Sequence, residues 1–196
     1  MNYIIFDLEA TCWDTEDEDR PNETIEIGAV KLDDNLNTVS EFDIFIKPVM
    51  NPTLSEFCKK LTSISQKDID DADTFPKAVE RFREWVCTGD DYILCSWGRY
   101  DKFQLAHDCG LHGLDSSWIT DYYVSIKHIY AKKTKSKRVG FNRVLQQCGL
   151  EFEGTPHRGI DDAKNIARVF VQKFEIFRGE TSDAPQIGVI VDWKNN

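Results

Sequence analysis

The segment Tyr3-Ile4-Ile5-Phe6-Asp7-Leu8-Glu9 (residues 3–9) decides the fold, because it joins an apolar run to two acids. A short apolar run is typical of a buried strand, and side chains two apart on a strand point to the same face. Asp7 and Glu9 therefore project together, and their repulsion is relieved by protonation or by a bound cation. The segment predicts a site for a hard divalent cation with oxygen ligands, or else a solvated strand end.

Outward from this strand, the sequence predicts four more strands. Residues 24–33 and 38–47 carry apolar residues at alternating positions, and the turn at 34–37 between them favours an antiparallel hairpin. A buried fourth strand is predicted at 91–97 and a short fifth strand at 118–122. The first three strands of the sheet are therefore expected to form a meander.

Helices are predicted for most of the remaining chain. In order, they lie at 52–61, from 65, at 75–87, 99–109, 124–131, 139–148 and 159–177. The last is the longest, and its apolar residues recur at helical spacing. Without a linker or an internal repeat, this order predicts one α/β domain. We place that domain at 1–177 and expect 178–196 to be a tail, either an extra strand or a loose segment.

The composition excludes several classes of protein. Acidic residues (34) outnumber basic ones (24), which gives a net charge of −10, and 41% of the residues are hydrophobic. That apolar fraction supports a folded core, and the lack of a long apolar run argues against a membrane span. The acidity argues against broad, nonspecific nucleic-acid binding, which relies on exposed lysine and arginine. It remains compatible with a narrow acidic cleft that holds metal ions.

The cysteines indicate a reducing environment. Six occur without a Cys-x-x-Cys pair, and the first residues lack the basic segment of a secretory signal. We therefore expect free thiols and a cytoplasmic location. His107, Cys109 and His112 are zinc ligands by type, but no fourth ligand accompanies them, and a buried apolar role for the cysteine is the alternative.

A basic run at 132–138 interrupts the acidic chain, with Lys or Arg at five of its seven positions. A polyanion needs a local landing site on so acidic a protein, and this run predicts one. The alternative is a solvated loop that keeps the protein soluble.

Two further segments place acids at helix starts. In Trp97-Gly98-Arg99-Tyr100-Asp101, a buried strand breaks at glycine and Asp101 falls in the first turn of a helix. In His157-Arg158-Gly159-Ile160-Asp161-Asp162, the histidine lies in a loop and Asp162 in the first turn of the longest helix. Each acid alone is explained by its favourable interaction with a helix dipole. Three such segments together predict one shared site.

The order Asp-x-Glu, Asp, then His-x-x-x-x-Asp resembles the signature of the DEDDh 3′→5′ exonucleases. Segments 6–12, 54–58, 72–76 and 161–168 resemble its RNA-degrading branch, which includes histone-mRNA and small-interfering-RNA exonucleases. The resemblance covers residues 3–177 and implies a ribonuclease H-like fold, with a central mixed five-stranded sheet flanked by helices. Unlike the eukaryotic members, this chain is expected to lack an N-terminal nucleic-acid-binding module.

The same resemblance implies a site for two Mg²⁺ ions, with Mn²⁺ able to substitute. Its metal ligands would be Asp7, Glu9, Asp101 and Asp162. His157 would be the general base toward the attacking water. Asp161, although adjacent to a ligand, is expected to be a structural acid.

Substrate contacts are predicted around this site. The resemblance implies that backbone groups of Leu8, Ala10 and Thr11 face the terminal nucleotide and that Ile64 packs on its base. The aromatic candidates for base stacking are Trp13, Trp97 and Phe103. Core packing is the alternative for Trp97 and Ile64.

The predicted function is metal-dependent removal of nucleotides from 3′ ends of single-stranded RNA, with structured RNA as a further candidate substrate. One alternative is a proofreading or single-stranded DNA exonuclease of the same superfamily. Another is a nuclease-like binding module without turnover, which a lost metal ligand would mark, and no ligand is lost. Neither the protein partners nor the oligomeric state follows from the sequence, and no membrane partner is expected.

Overall fold

The computed structural model describes residues 1–15, 20–89, 91–137 and 139–181 of the chain. Five strands form one sheet in the order β3-β2-β1-β4-β5. They are β1 Asn2–Ala10, β2 Thr24–Leu32, β3 Thr38–Phe45, β4 Tyr92–Ser96 and β5 Tyr123–Ser125. β2 pairs antiparallel with β1 and β3, whereas β4 pairs parallel with β1 and β5. The prediction of a mixed five-stranded sheet is confirmed.

Helices flank the sheet on both faces. Within the described ranges they are α1 Glu56–Thr62, α2 Gln66–Asp70, α3 Phe75–Cys87, α4 Tyr100–Leu111, α5 Ser117–Thr120, α6 Ile126–Thr134, α7 Phe141–Gln147, α8 Gly159–Gln172 and α9 Phe174–Thr181. Ser65 begins α2 with a capping box, in which it and Asp68 satisfy each other's backbone N–H groups. None of the helices in these ranges has the length and apolar character needed to cross a membrane.

β1 is buried on both faces, which explains its continuous apolar run. Ile5 packs in one cluster with residues of α6 to α9, whereas Ile4 and Phe6 pack in a second cluster with α3 and α4. Because side chains alternate along a strand, Asp7 and Glu9 lie on the same face as Ile5. That is the face covered by α8.

The first turn of α8 approaches β2 very closely. A Cβ atom on Gly28 would lie 2.0 Å from the backbone nitrogen of Ile160, so this position excludes any side chain. The close approach brings Asp162, in the first turn of α8, to the end of β1.

The predicted fifth strand at 118–122 is wrong. Residues Ser117–Thr120 form α5, and β5 follows at Tyr123–Ser125. Asp115 starts the helical turn, because its carboxylate accepts hydrogen bonds from Ser117 N–H (3.0 Å) and Ser117 Oγ (2.9 Å). Local side-chain bonds of this kind compete with a strand ladder.

The predicted single helix at 159–177 is also wrong, since α8 ends at Gln172 and α9 begins at Phe174. The break lets Phe174 contact the ring of Tyr3 (centroids 5.3 Å apart) and lets Phe177 stack on Phe170 (5.2 Å). Both helices keep their apolar side toward the same cluster, so the periodicity continues through the break.

The end of the domain was predicted at 177. α9 continues to Thr181. The possible extra strand within the predicted tail falls in 182–196, which lies outside the described residues.

Candidate active site

Four acids from three elements meet at the carboxyl end of β1. Asp7 and Glu9 extend from β1 and Asp162 from α8, and one carboxylate oxygen of each lies within 4.8 Å of the others. Asp101, buried in the first turn of α4, accepts a hydrogen bond from Leu8 N–H (3.4 Å). These four residues form the carboxylate cluster, and the structure brings together all four predicted metal ligands.

Burial and mutual repulsion raise the pKa values within the carboxylate cluster. Burial, followed by the charges of Asp101, Asp162 and Glu9, raises the pKa of Asp7 well above its usual range. Burial and the charge of Asp162 raise the pKa of Glu9 to about 8. The pKa of Asp162 rises to about 6, mainly through burial.

Hydrogen bonds stabilise the ionised form of Asp101 against the effect of burial. Burial raises its pKa, but hydrogen bonds from the Ser96 side chain and from the Leu8 N–H oppose that rise. Within the described ranges, no lysine or arginine forms an ion pair with any acid of the carboxylate cluster. Buried, converging carboxylates without a counter-charge suit a hard divalent cation, which prefers oxygen ligands. The donor set therefore fits the predicted metal ions.

His157 lies at the rim of the carboxylate cluster. It is exposed, and its backbone N–H donates a hydrogen bond to Asp162 Oδ2 (2.8 Å). Its φ of 61° lies in the left-handed region, which is uncommon for a residue other than glycine. Such conformations persist where the surrounding structure holds them, so the backbone of this loop is held beside Asp162.

A second buried acid near the carboxylate cluster, Glu26, is held by two donors. Glu26, Arg158 and Gly159 together are called the rear clamp. The Arg158 guanidinium donates to both carboxylate oxygens of Glu26 (3.2 and 3.3 Å), and Gly159 N–H donates to one of them (3.0 Å). The Glu26 side chain is fully buried. The rear clamp ties β2 to the loop that carries His157 and to the first residue of α8.

Asp161 contributes to the same loop. Its carboxylate accepts a hydrogen bond from Thr155 N–H at 2.8 Å. This contact agrees with the structural role expected for Asp161.

The predicted backbone contacts near the end of β1 already have partners in the protein. Leu8 N–H donates to Asp101, and the Ala10 carbonyl accepts from Cys58 Sγ (3.7 Å). Thr11 N–H donates to the carbonyl of Glu23 (2.9 Å). Their role in substrate binding stays a prediction.

Two of the predicted base contacts lie in the core. Ile64 is fully buried beside Cys58 and Ile69, and Trp97 packs edge-on against Phe141 with ring centroids 5.2 Å apart. Neither offers a face to a base in this conformation, so the structure supports the alternative of core packing. By contrast, Phe103 is 61% exposed.

Trp13, the remaining stacking candidate, is half-buried on the segment that follows β1. The Arg20 guanidinium lies over its ring, 4.8 Å from the centroid. A cation already occupies one face of this ring, and its contact with a base stays a prediction.

Three exposed residues on the helices attached near the end of β1 were missed from the sequence. Tyr100 directly precedes Asp101 and is 51% exposed, and α1 presents Phe57 and Leu61 on its outer side. α1 is fixed to the chain just after Glu9, because Ser55 Oγ donates to the Cys12 carbonyl (2.6 Å). An apolar pair four residues apart normally indicates a buried helix face. Apart from the short length of the predicted helix, no sequence signal indicated that Phe57 and Leu61 would be exposed.

The zinc hypothesis gains no support. Cys109 is buried in the apolar cluster below α3, and His112 stacks on Phe75 with ring centroids 5.5 Å apart. Of the residues the structure describes, only Asp7, Glu9 and Asp162 form a group of three potential metal ligands.

The basic run lies at the end of α6. Thr134 is the last residue of this helix, and Lys135 adopts a left-handed conformation (φ 52°) that ends it. Residue 138, the last of the run, is outside the described ranges. Its proposed contact with a nucleic-acid backbone stays a prediction.

Sequence comparisons agree with this geometry. A family model described as Exonuclease matches residues 4–170. The 3′-5′ exoribonuclease 1 of Mus musculus is 31% identical over 185 residues, which cover 89% of this chain and 53% of that protein. The 3′-5′ exonuclease Snipper of Drosophila melanogaster is 32% identical over 189 residues, covering 84% of this chain and 66% of that protein. The chain spans about half the length of the three mammalian 3′-5′ exoribonuclease 1 proteins that it matches.

Solved structures are similar as well. The nuclease domain of 3′hExo, described as a DEDDh family member bound to rAMP, has a TM-score of 0.83 at 31% identity, covering 89% of this chain and 92% of that one. A 3′-exonuclease that recognises the histone mRNA stem-loop has a TM-score of 0.79 at 30% identity, covering 89% and 81%.

Proposed function

Because the chain belongs to the exonuclease family, we propose that it hydrolyses phosphodiester bonds at the 3′ end of RNA and removes nucleotides from that end. The observation that carries the proposal is the carboxylate cluster, with four acids at one strand end and no basic partner within the described ranges. A non-catalytic binding module would have no use for this repulsive arrangement.

The acids of the carboxylate cluster are the proposed ligands of two divalent cations, Mg²⁺ with Mn²⁺ able to substitute. Such ions lower the pKa of a water and stabilise negative charge on the phosphate and on the leaving 3′ oxygen. The carboxylates must be ionised to bind them. Since burial and repulsion raise the pKa values of Asp7, Glu9 and Asp162, cation binding and carboxylate ionisation are coupled.

His157 is the proposed general base. Its backbone bond to Asp162 and the rear clamp behind it fix the loop, while its exposed imidazole can take a proton from water and pass it to solvent. Histidine is the side chain that most often acts as a general base in proteins.

The terminal base is proposed to lie among Tyr100, Phe57 and Leu61. The phenol ring of Tyr100 offers a stacking face beside Asp101, and the two apolar side chains of α1 offer a second surface near the end of β1. Base stacking of this kind tolerates any base, because each has a π-face. It would suit an enzyme that removes successive nucleotides.

RNA is proposed over DNA because three mammalian relatives at 30–31% identity are named exoribonucleases and one neighbour recognises a stem-loop RNA. Structured RNA is therefore a second proposed substrate. A cytoplasmic location is proposed from the thiols, since all six cysteines are free.

The test is an end-labelled nuclease assay. Single-stranded RNA labelled at the 5′ end should shorten stepwise from its 3′ end with Mg²⁺ and remain intact with chelator. RNA with a blocked 3′ end and DNA of the same sequence are the matched controls. Faster degradation of DNA would favour the alternative of a DNA exonuclease, and binding without shortening in Mg²⁺ and Mn²⁺ would favour the binding module.

A further inference from the structure

A groove of about 310 Å³ lies between the start of α4 and the β5–α6 segment. We call it the α4–α6 groove, and the residues that matter for its chemistry are Arg99, Lys102, Phe103, Tyr123, Ser125 and His128. None of the described residues that line it is acidic. On a protein with a net charge of −10, this wall is basic and aromatic.

The groove adjoins the carboxylate cluster through the turn that leads into α4. Tyr123, on its floor, shares a hydrogen bond with Ser96 Oγ (2.9 Å) and donates one to the Gly98 carbonyl. Gly98 and Arg99 lead directly into α4, whose first turn carries Asp101. Lys102 and Phe103 directly follow Asp101 on α4. The groove therefore opens beside the place where a scissile phosphate would lie.

The two cations of the groove have no carboxylate partner among the described residues. Lys102 is held in place, because its Nζ donates to the Thr120 carbonyl (3.0 Å) and lies 5.1 Å from the centre of the Tyr123 ring. Arg99 is exposed at the same groove. Two neighbouring cations without a carboxylate partner suit an anion such as a phosphate.

Phe103 supplies the second kind of contact. It is 61% exposed and lines the same groove as the two cations. An exposed aromatic ring beside phosphate-binding cations is the combination by which proteins hold single-stranded nucleic acids without sequence preference.

We propose that the α4–α6 groove binds the nucleotide on the 5′ side of the scissile bond, with Arg99 and Lys102 on its phosphate and Phe103 under its base. The inference rests on the proposed exonuclease function and extends it from the terminal nucleotide to the strand behind it. The proposed occupant of the groove is single-stranded nucleic acid, namely the next part of the substrate strand itself.

The first experiment compares two substrates. One is single-stranded RNA of about ten nucleotides, within the site sizes of single-strand binders, and the other is a nucleoside 5′-monophosphate p-nitrophenyl ester, which has no nucleotide on that side. In the Arg99→Ser/Lys102→Ser variant and in Phe103→Ala, kcat/KM on RNA should fall about tenfold more than on the ester, since losing one stacked base costs roughly 5- to 150-fold in affinity. Lys77→Ser, an exposed lysine on α3, is the matched control.

The second experiment measures binding without turnover. Fluorescence anisotropy of the labelled RNA in Ca²⁺ should show weaker binding by the double variant. Its log–log salt slope should be smaller by about 0.7 for each lost phosphate contact. If wild type hydrolyses neither substrate, the proposed function fails, and the anisotropy still decides the groove. Equal losses on RNA and ester, or RNA binding like that of Lys77→Ser, would overturn the groove assignment.

Discussion

Glu9 and Glu26 face each other across the β1–β2 ladder, yet they belong to opposite kinds of acidic site. Both lie in the protein interior, and burial is the main cause that raises the pKa of each. Glu26 has Arg158 and the Gly159 N–H as partners, and both oppose the rise of its pKa. Glu9 faces the charges of Asp162, of Glu26 itself and of Asp101, which raise its pKa further.

The difference separates an acid that holds the fold from acids that await a ligand. The rear clamp carries its positive charge within the chain, so its hydrogen bonds are complete in the protein itself. The carboxylate cluster lacks that charge, and the missing charge must come from outside. Removing an acid should therefore destabilise the rear clamp but relieve repulsion in the metal-free carboxylate cluster.

The largest expected effect is loss of turnover in Asp7→Asn. The substitution keeps the shape of the side chain and removes one negative charge from the proposed cation site, so RNA hydrolysis should be abolished. In chelator its melting temperature should equal or exceed that of wild type, because a repelling buried charge is gone. Wild type alone should gain stability from Mn²⁺. A variant that keeps wild-type turnover would remove Asp7 from the metal site.

His157→Ala tests whether the rim histidine belongs to the chemistry or to the cation site. A general base contributes roughly 10²–10⁴-fold, so kcat should fall within that range. Calorimetric Mn²⁺ affinity should stay close to wild type, because the contact of His157 with Asp162 is made by its backbone N–H. Loss of Mn²⁺ binding would instead show that the imidazole is a ligand or a structural support.

Removing a partner from the rear clamp should lower the free energy of unfolding, whereas removing an acid from the carboxylate cluster should not. Arg158→Met leaves the Glu26 carboxylate buried without its counter-charge, which costs roughly 3–5 kcal/mol for a fully buried pair. Because a quarter of the Arg158 side chain is exposed, we expect a loss of about 3 kcal/mol in the free energy of unfolding by urea. Glu26→Gln in the same chain should recover most of it.

Lys164→Met is the matched control for that measurement. Lys164 lies on α8, the helix that follows Arg158, and its ammonium pairs with the exposed Glu41 carboxylate. Such surface pairs contribute roughly 0–1 kcal/mol. Equal losses in the Arg158 and Lys164 variants would show that the rear clamp is no more important than a surface ion pair.

The pH dependence of stability gives a smaller effect with a definite sign. The folded-state pKa of Glu9 is about 8, above the ordinary value of 4.5, so the metal-free folded protein binds more protons than the unfolded chain between these values. Stability therefore falls as pH rises through this window. The stability of Glu9→Gln relative to wild type should increase from pH 5 to pH 8 in chelator, measured by urea unfolding. A constant difference would contradict the raised pKa.

The sequence was sufficient to predict the family and the strand that carries Asp7 and Glu9. Asp7-x-Glu9 at the end of an apolar strand, together with the later Asp101 and His157 to Asp162, led to the DEDDh exonucleases, and this family assignment is confirmed. The mixed sheet is confirmed too. Spacing along the chain carries this information, because acids two apart on a strand must share a face.

Contacts between distant segments could not be predicted in the same way. Nothing local in the sequence pairs Glu26 with Arg158, since they lie 132 positions apart and meet only when α8 packs on β2 at Gly28. Exposure of Tyr100 and burial of Trp97 were likewise decided by packing, since both residues follow the end of β4 at Ser96 and only Trp97 turns into the core.

The smallest expected effect comes from Asp161, which lies beside Asp162, a proposed metal ligand, in the first turn of α8. Its carboxylate accepts the Thr155 N–H at 2.8 Å, and the amide oxygen introduced by Asp161→Asn can accept the same bond. The lost charge at the helix start should cost about 0.3–1 kcal/mol of stability. Because the charge of Asp161 helps to raise the pKa of Asp162, its removal should leave Mn²⁺ affinity at pH 6 equal or slightly higher.

Calorimetry and the end-labelled assay on Asp161→Asn and Asp162→Asn check this directly. Only the second variant should lose turnover, and a similar loss in both would place Asp161 in the carboxylate cluster.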